Sequence, residues 1–159
     1  MSKNHLSHTL LKEIGFRLLA EGTTIRVKAE GFSMYPYIKP GSILHIEPVE
    51  PDYKLRPGEI IAWKRESGFV VHRLVRIYKS KYQKYIVTRG DSIMDEDEPV
   101  LFDQIAGRVV KVEFPEGTIV PANSFMNKKP NYSFNRSLVR IILQFRRIKK
   151  IFNHGASRS

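Results

Sequence analysis

The chain contains no cysteine among its 159 residues, which excludes disulfides and thiolate zinc sites as a source of stability. Long apolar runs are also missing. The run around Ile141 and Ile142 is interrupted by charge within a few residues, whereas a membrane-spanning helix needs about 20 apolar residues. Lys12 and Glu13 interrupt the first apolar stretch, which argues against a secretory signal. These absences predict a cytoplasmic protein without a transmembrane segment.

Acidic residues are absent after Glu116, although the chain as a whole carries 16 of them. The same C-terminal part contains nine basic residues: Lys128, Lys129, Arg136, Arg140, Arg146, Arg147, Lys149, Lys150 and Arg158. The preceding part is nearly neutral, so the net charge of +11 belongs mainly to the C-terminal segment. A nucleic-acid-binding domain would carry its basic patch on the fold itself. We therefore expect no specific nucleic-acid partner.

The first 23 residues have the periodicity of a short amphipathic helix. Ile14 and Leu18 are four residues apart and continue an apolar pattern that begins earlier in the chain. Ser7 can cap the start of this helix and Gly22 can end it. Residues 1–23 are therefore predicted to form an N-terminal amphipathic helix.

The middle of the chain has the short alternating segments of β-strands. Ile25, Val27 and Ala29 alternate with polar residues, as a half-buried strand should. Six strands are predicted in all, over residues 24–30, 42–47, 60–65, 69–78, 85–89 and 107–114, with hairpin turns at 66–68 and 80–83. Many short strands with few crossover helices indicate a mainly β, antiparallel, partly closed domain, which we assign to residues 24–120.

Residues 121–159 are predicted to form a linker followed by a basic amphipathic helix. Its apolar face consists of Leu138, Ile141, Ile142, Phe145, Ile148 and Phe152. One interpretation is that residues 136–152 contact a membrane surface, because basic residues attract anionic lipid headgroups. The equally weighted alternative is that this face packs on the β domain and the charges are solvated. RNA binding by the segment is a weaker third option.

Three segments carry the residue types of a serine peptidase site. The first, Gly31-Phe32-Ser33-Met34-Tyr35-Pro36, places a serine on a bend directly after a strand. The second contains His72, and the third, residues 88–97, contains three aspartates. A serine hydroxyl needs a base within hydrogen-bond reach before it can attack an amide, and a histidine base is usually oriented by a carboxylate.

These segments resemble the type I signal peptidases and the related self-cleaving SOS (LexA-like) repressors, which share a G/S-x-S-M-x-P nucleophile turn. Three further segments follow the same order: 40–44, 56–62 and 107–110. The resemblance covers roughly residues 24–114. It implies the signal-peptidase/LexA-like coiled antiparallel β fold and the activity of a serine endopeptidase.

The resemblance implies a role for each motif residue. Ser33 corresponds to the nucleophile and His72 to the general base, since Val71-His72-Arg73 matches the histidine-type signal peptidases rather than the lysine-type enzymes. Met34, Pro36 and Arg73 match supporting positions of the motifs. Histidine works as a base near neutral pH, so activity is expected to rise through roughly pH 6 to 7.

The carboxylate that orients His72 has three candidates. The loop spacing of the histidine-type signal peptidases points to Asp97, with Asp91 as the structural aspartate of the Gly-Asp turn, and Asp95 is the reserve candidate. Gly31 stands where some signal peptidases have a serine donor, so the oxyanion hole is expected to use backbone N–H groups, with that of Ser33 first.

The predicted function is cleavage of an extended peptide or precursor protein that lies against residues 24–30, with small side chains next to the scissile bond as the resemblance implies. No cofactor and no metal are expected. The location is predicted to be cytoplasmic, or peripheral at the inner face of a membrane. Two alternatives remain: a non-catalytic module that binds a peptide by strand addition, and a self-processing regulator.

Overall fold

The computed structural model describes residues 13–65 and 68–155, with side chains up to Lys150. The predicted helix cap at Ser7 and most of the predicted turn at 66–68 lie outside the described residues.

Eight antiparallel strands in the described residues form one sheet. They are β1 (Ile25–Lys28), β2 (Ile43–Glu47), β3 (Ile60–Arg65), β4 (Gly68–Ser80), β5 (Gln83–Arg89), β6 (Val100–Leu101), β7 (Ile105–Glu113) and β8 (Ile119–Pro121). The order is β1-β2-β7-β3-β4-β5-β6, and β8 pairs with β7. The register shifts within the pairs β2–β7, β3–β7 and β4–β5, and such irregularities bend and twist a sheet. The prediction of a mainly β, antiparallel architecture is confirmed.

Strand β3 explains how the sheet holds two cores. Ile60 and Ala62 pack in one apolar cluster with residues of β1, β2 and β7, and Ile61 and Trp63 pack in the other with residues of β4 and β5. Successive side chains of a strand point to opposite faces, so a continuous apolar run is what a strand covered on both faces requires. The two clusters hold β3 and β4 rigidly, and β4 carries His72.

Two α-helices lie in the described residues. Helix α1 is described over residues 13–20, and α2 spans Tyr132–Gly155. Gly22 ends α1 with a φ of 83°, where the N–H groups of Gly22 and Thr23 donate to the carbonyls of Leu19 and Leu18. That pairing is the Schellman motif, in which glycine is favoured because it adopts a positive φ without strain. Within residues 13–65 and 68–155, no helix has the length of apolar sequence that a bilayer crossing requires.

Some short elements differ from the sequence-based expectations. Strands β6 and β8 were not predicted, because two or three residues are too few to show alternation. A linker was predicted from residue 121, but Ala122–Phe125 forms a 3₁₀ helix whose Ala122 and Phe125 are buried in the first core cluster. The β domain therefore extends beyond residue 120.

Candidate active site

The Ser33 turn is held in place by its neighbours on both sides. Residues 31–37 form a bend and a turn after β1, closed by a 2.9 Å hydrogen bond from the Tyr35 N–H to the Phe32 carbonyl. Met34 anchors the turn, since only 5 % of its side chain surface is exposed. The Tyr35-Pro36 peptide bond is cis. Ser33 itself is half-buried and lines a cleft beside β1.

His72 lies on β4 and is oriented by Asp97. Its Nδ1 lies 2.6 Å from Asp97 Oδ2, and the Thr88 hydroxyl donates to the same carboxylate oxygen at 2.6 Å. Trp63 Nε1 in turn donates to Thr88 Oγ1 at 3.1 Å. The carboxylate accepts, so His72 Nδ1 is the donor and the free lone pair of the neutral ring is on Nε2. The side chain is thereby set up to accept a proton through Nε2.

The electrostatics of Asp97 keep its carboxylate ionised. Burial raises the pKa of Asp97, but the hydrogen bonds from His72 and Thr88 outweigh that effect and hold the pKa below its ordinary value. A negative charge at this position stabilises the positively charged imidazole that forms when His72 takes up a proton.

Gly90 brings Ser33 and His72 together. A Cβ placed on Gly90 would lie 2.8 Å from the Ser33 carbonyl oxygen and 3.1 Å from His72 Nε2, so both atoms border the same small space. Ser92 fixes the Ser33 turn there, since its N–H donates to the Ser33 carbonyl at 2.9 Å and its hydroxyl donates to the Phe32 carbonyl at 2.7 Å. Among the described residues the Ser33 hydroxyl makes no hydrogen bond to His72. Catalytic hydrogen bonds often shorten only when substrate is bound.

For the peptidase reaction that the sequence predicts, replacing Gly90 with alanine is expected to lower kcat/KM by about 10²-fold, because misplacing a catalytic group by about 1 Å costs that much. The added methyl group would meet the Ser33 backbone and the His72 ring, and neither is the end of a flexible chain. Peptidase assays of the purified variant, together with thermal unfolding, measure both consequences. Unchanged kinetics would mean that the close approach of the two segments at Gly90 is unimportant.

The buried ion pair of Arg73 with Asp91 supports the candidate site. The guanidinium donates two hydrogen bonds of 2.8 Å to the carboxylate, and 3 % and 0 % of the two residues' surfaces are exposed. Arg73 also donates to the carbonyls of Gly58 and Phe125 at 3.0 and 2.7 Å. Burial raises the pKa of Asp91, and the Arg73 guanidinium acts to lower it. Asp95 is exposed, so of the three candidate carboxylates it is Asp97 that contacts His72.

Replacing Arg73 with leucine is expected to lower the free energy of unfolding by about 3 to 5 kcal/mol, because it leaves a buried carboxylate without its partner. The matched control is Arg76→Leu on the same strand, which removes an exposed pair with Glu96 and should cost less than about 1 kcal/mol. Urea unfolding of both variants tests the difference. Equal losses of unfolding free energy in the two variants would mean that the buried pair of Arg73 and Asp91 stabilises the fold no more than the exposed pair does.

The cleft beside Ser33 has a volume of about 840 Å³ and runs along β1. One wall is α1, through Ile14 and Leu18, and the floor includes Phe69 and Val71 of β4. Among the described strands β1 is the last of the sheet on this side, so no described strand pairs with its outer edge along the cleft. The Ala29 N–H donates to the Ser42 carbonyl, and the Ala29 carbonyl accepts from the Gly41 N–H, so both groups point toward the β2 side. Because backbone groups alternate in direction along a strand, those of Lys28 point to the outer edge.

Four residues that position the site were not singled out from the sequence: Thr88, Ser92, Trp63 and Asn135. The role of Ser92 depends on its contact with the Ser33 turn, 59 residues away in the chain, and a sequence pattern does not reveal such a contact. Asn135 is 4 % exposed on α2, and its Nδ2 donates to the Asp91 carbonyl at 2.8 Å. Nothing in the α2 sequence pattern distinguishes this asparagine from an exposed one.

No known protein-family model matches the chain, and no curated protein matches it either. Within residues 13–65 and 68–155, no group of three or more histidine, aspartate or glutamate side chains could hold a metal ion.

Proposed function

We propose that the protein is a serine endopeptidase of the signal-peptidase type, in which Ser33 is the nucleophile, His72 the general base and Asp97 its orienting carboxylate. The observation that carries the proposal is the 2.6 Å contact of His72 Nδ1 with Asp97, combined with the position of Nε2 and the Ser33 carbonyl at the same space beside Gly90. A carboxylate, an imidazole and a serine in that order are the parts of a serine peptidase. The signal-peptidase/LexA-like fold is part of the same proposal.

In the proposed reaction His72 first accepts a proton and then returns it. Ser33 Oγ attacks the substrate carbonyl carbon while its proton passes to His72 Nε2, and Asp97 stabilises the resulting imidazolium. The Ser33 N–H donates to the oxyanion. The C–N bond then breaks as His72 returns the proton to the leaving amine. A water molecule, deprotonated by His72, hydrolyses the acyl-enzyme and regenerates the Ser33 hydroxyl.

The proposed substrate is an extended segment of a peptide or cytoplasmic precursor protein. It would add as a strand to the outer edge of β1 and use the outward-facing main-chain groups there, while its side chains enter the cleft lined by Ile25, Val27 and Phe69. Gly31 lies where this strand reaches Ser33, and a Cβ at Gly31 would meet no protein atom within 4 Å. The approach to the nucleophile is therefore open.

The test is incubation of the purified protein with a peptide library that contains Ala-x-Ala and other small-residue sites, read by mass spectrometry. Ser33→Ala and His72→Ala are assayed in parallel, with anionic vesicles present or absent. Products that form with the parent protein and are lost in both variants would support the proposal and define the cleavage motif. The same products from all three proteins would contradict the proposal.

The second candidate function is a peptide-binding module that holds an extended segment without cleaving it. The observation that favours it is that the Ser33 hydroxyl makes no hydrogen bond to His72 within the described residues. Binding of library peptides by the parent and Ser33→Ala proteins with equal affinity, and without products from either, would favour this alternative.

A further inference from the structure

Two side chains on one side of helix α2 contact loops of the described β domain. Asn135 is buried against the Asp91 loop, and the Arg146 guanidinium lies 4.8 Å from the centre of the Phe32 ring in the nucleophile turn. At 3.6 residues per turn, residues 135 and 146 fall on the same side of the helix. This side, and not the apolar one, holds α2 against the two loops of the candidate active site.

A stripe of large apolar side chains lies on a different side of α2 and faces solvent. Phe134, Ile141, Phe145 and Ile148 recur at spacings of seven, four and three residues, which places them in one line. Their exposed fractions are 61, 49, 68 and 49 %. Of the other residues of the predicted apolar face, Leu138 and Ile142 are half-buried, and the side chain of Phe152 lies outside the described residues. We call the four exposed residues the α2 stripe.

The charge around the α2 stripe indicates what covers it. Exposed cations occupy the rest of the helix surface: at 3.6 residues per turn Arg140 and Lys149 flank the stripe and Arg136 and Arg147 lie farther round, and no acidic residue follows Glu116 in the chain. Two copies of α2 paired along their stripes would place two helices that carry basic and no acidic residues side by side, which disfavours a second copy as the occupant. A helix with an exposed apolar stripe on one side and an excess of cations on the rest of its surface fits a flat anionic surface whose interior is apolar.

We propose that the α2 stripe docks the protein on a bilayer that contains anionic lipid. Phe134, Ile141, Phe145 and Ile148 enter the boundary between headgroups and acyl chains, and the flanking Arg140 and Lys149 contact the headgroups. Ile93 and Met94 are 38 % and 37 % exposed, and the Ser133 hydroxyl lies 3.8 Å from Met94 Sδ, so the apolar surface continues from the start of α2 into the Asp91 loop.

Docking would hold the candidate active site beside the membrane, because α2 contacts both the nucleophile turn and the Asp91 loop. Polypeptide segments that lie at the membrane surface then become the accessible substrates. This consequence rests on the proposed peptidase function, whereas the docking itself does not.

The test uses full-length Ser33→Ala protein, so that the result is independent of catalysis, and measures co-sedimentation with vesicles. The vesicles consist of phosphatidylcholine alone or of phosphatidylcholine mixed with phosphatidylglycerol. Phe145→Ser is compared with Leu143→Ser, since Leu143 is 39 % exposed on the opposite side of α2 and both changes leave the charge unaltered. Circular dichroism verifies that each variant is folded.

Binding to the anionic vesicles, weakened at least about tenfold by Phe145→Ser and less than about twofold by Leu143→Ser, is the expected result. Three results would overturn the proposal: no sedimentation with anionic vesicles, equal weakening by the two variants, or a lipid-independent dimer that Phe145→Ser dissociates. A failed peptidase assay leaves this experiment unaffected, and failed vesicle binding leaves the library assay unaffected.

Discussion

Replacing Ser33 with alanine is expected to lower kcat/KM for a cleaved peptide by at least about 10⁴-fold while the protein remains folded. The hydroxyl is the proposed nucleophile, and no other group in the mechanism can form the acyl-enzyme. The fold should persist because the turn is held through backbone atoms, namely the Ser33 and Phe32 carbonyls that accept from Ser92. Steady-state kinetics and thermal unfolding measure the two effects.

The matched control for this prediction is Ser42→Ala. Ser42 is fully buried, and its hydroxyl has no hydrogen-bond partner among the described residues, while its carbonyl accepts the Ala29 N–H at 2.8 Å in either variant. Removing a buried unpaired hydroxyl is neutral or stabilising, so activity should stay within about twofold of the parent. If Ser33→Ala kept activity comparable to the parent, the hydrolysis would belong to another nucleophile.

The strands that the sequence predicted are those with a clear alternation or a continuous apolar run. Residues 60–65 were predicted with the same bounds as β3, because Ile60, Ile61, Ala62 and Trp63 pack on both faces of the sheet. The hairpin after β4 was also placed correctly, since a two-residue turn joins Ser80 to Gln83. Strand β8 escaped prediction because its three residues have no partner that the sequence alone identifies.

The motif residues of the candidate site could be predicted from the sequence, but the residues that hold them in place could not. The positions of Ser33 and His72 came from the resemblance, and so did the preference for Asp97 over Asp91 and Asp95. Thr88 could not be chosen in advance, because its hydrogen bond to Asp97 depends on how the loop after β5 folds back on that strand. Pairwise contacts of this kind follow from tertiary geometry, which one sequence does not reveal.

Helix α2 also has a feature that the sequence alone did not predict, namely which of its sides is exposed. Its amphipathic pattern predicted a helix with an apolar face, and the pattern left open whether that face is packed or exposed. The outcome depends on Asn135, a polar residue that is buried because it bonds the Asp91 carbonyl. Hydrophobic periodicity assigns polar residues to the solvent side, so it gives no warning that an asparagine anchors the helix and turns the apolar stripe outward.

Replacing Asp97 with asparagine is expected to lower kcat by about 10⁴-fold, although the side chain keeps nearly the same shape. An amide can donate a hydrogen bond to His72 Nδ1, which favours the ring tautomer with its proton on Nε2. That nitrogen could then no longer accept the proton of Ser33. The variant also lacks the negative charge that stabilises the imidazolium. Asp95→Asn is the matched control, because Asp95 is exposed in the same loop and the chemical change is identical.

The same variant should differ from the parent in the pH dependence of its stability. The pKa of Asp97 is lowered in the folded protein, so its carboxylate contributes stability at pH values above its ordinary pKa of about 3.9. That contribution is lost as the pH falls through the lower folded value. Urea unfolding should therefore show the parent more stable than Asp97→Asn at neutral pH, with the difference shrinking below about pH 4. A difference independent of pH, or activity of Asp97→Asn equal to that of Asp95→Asn, would mean that the Asp97 charge neither orients nor stabilises His72.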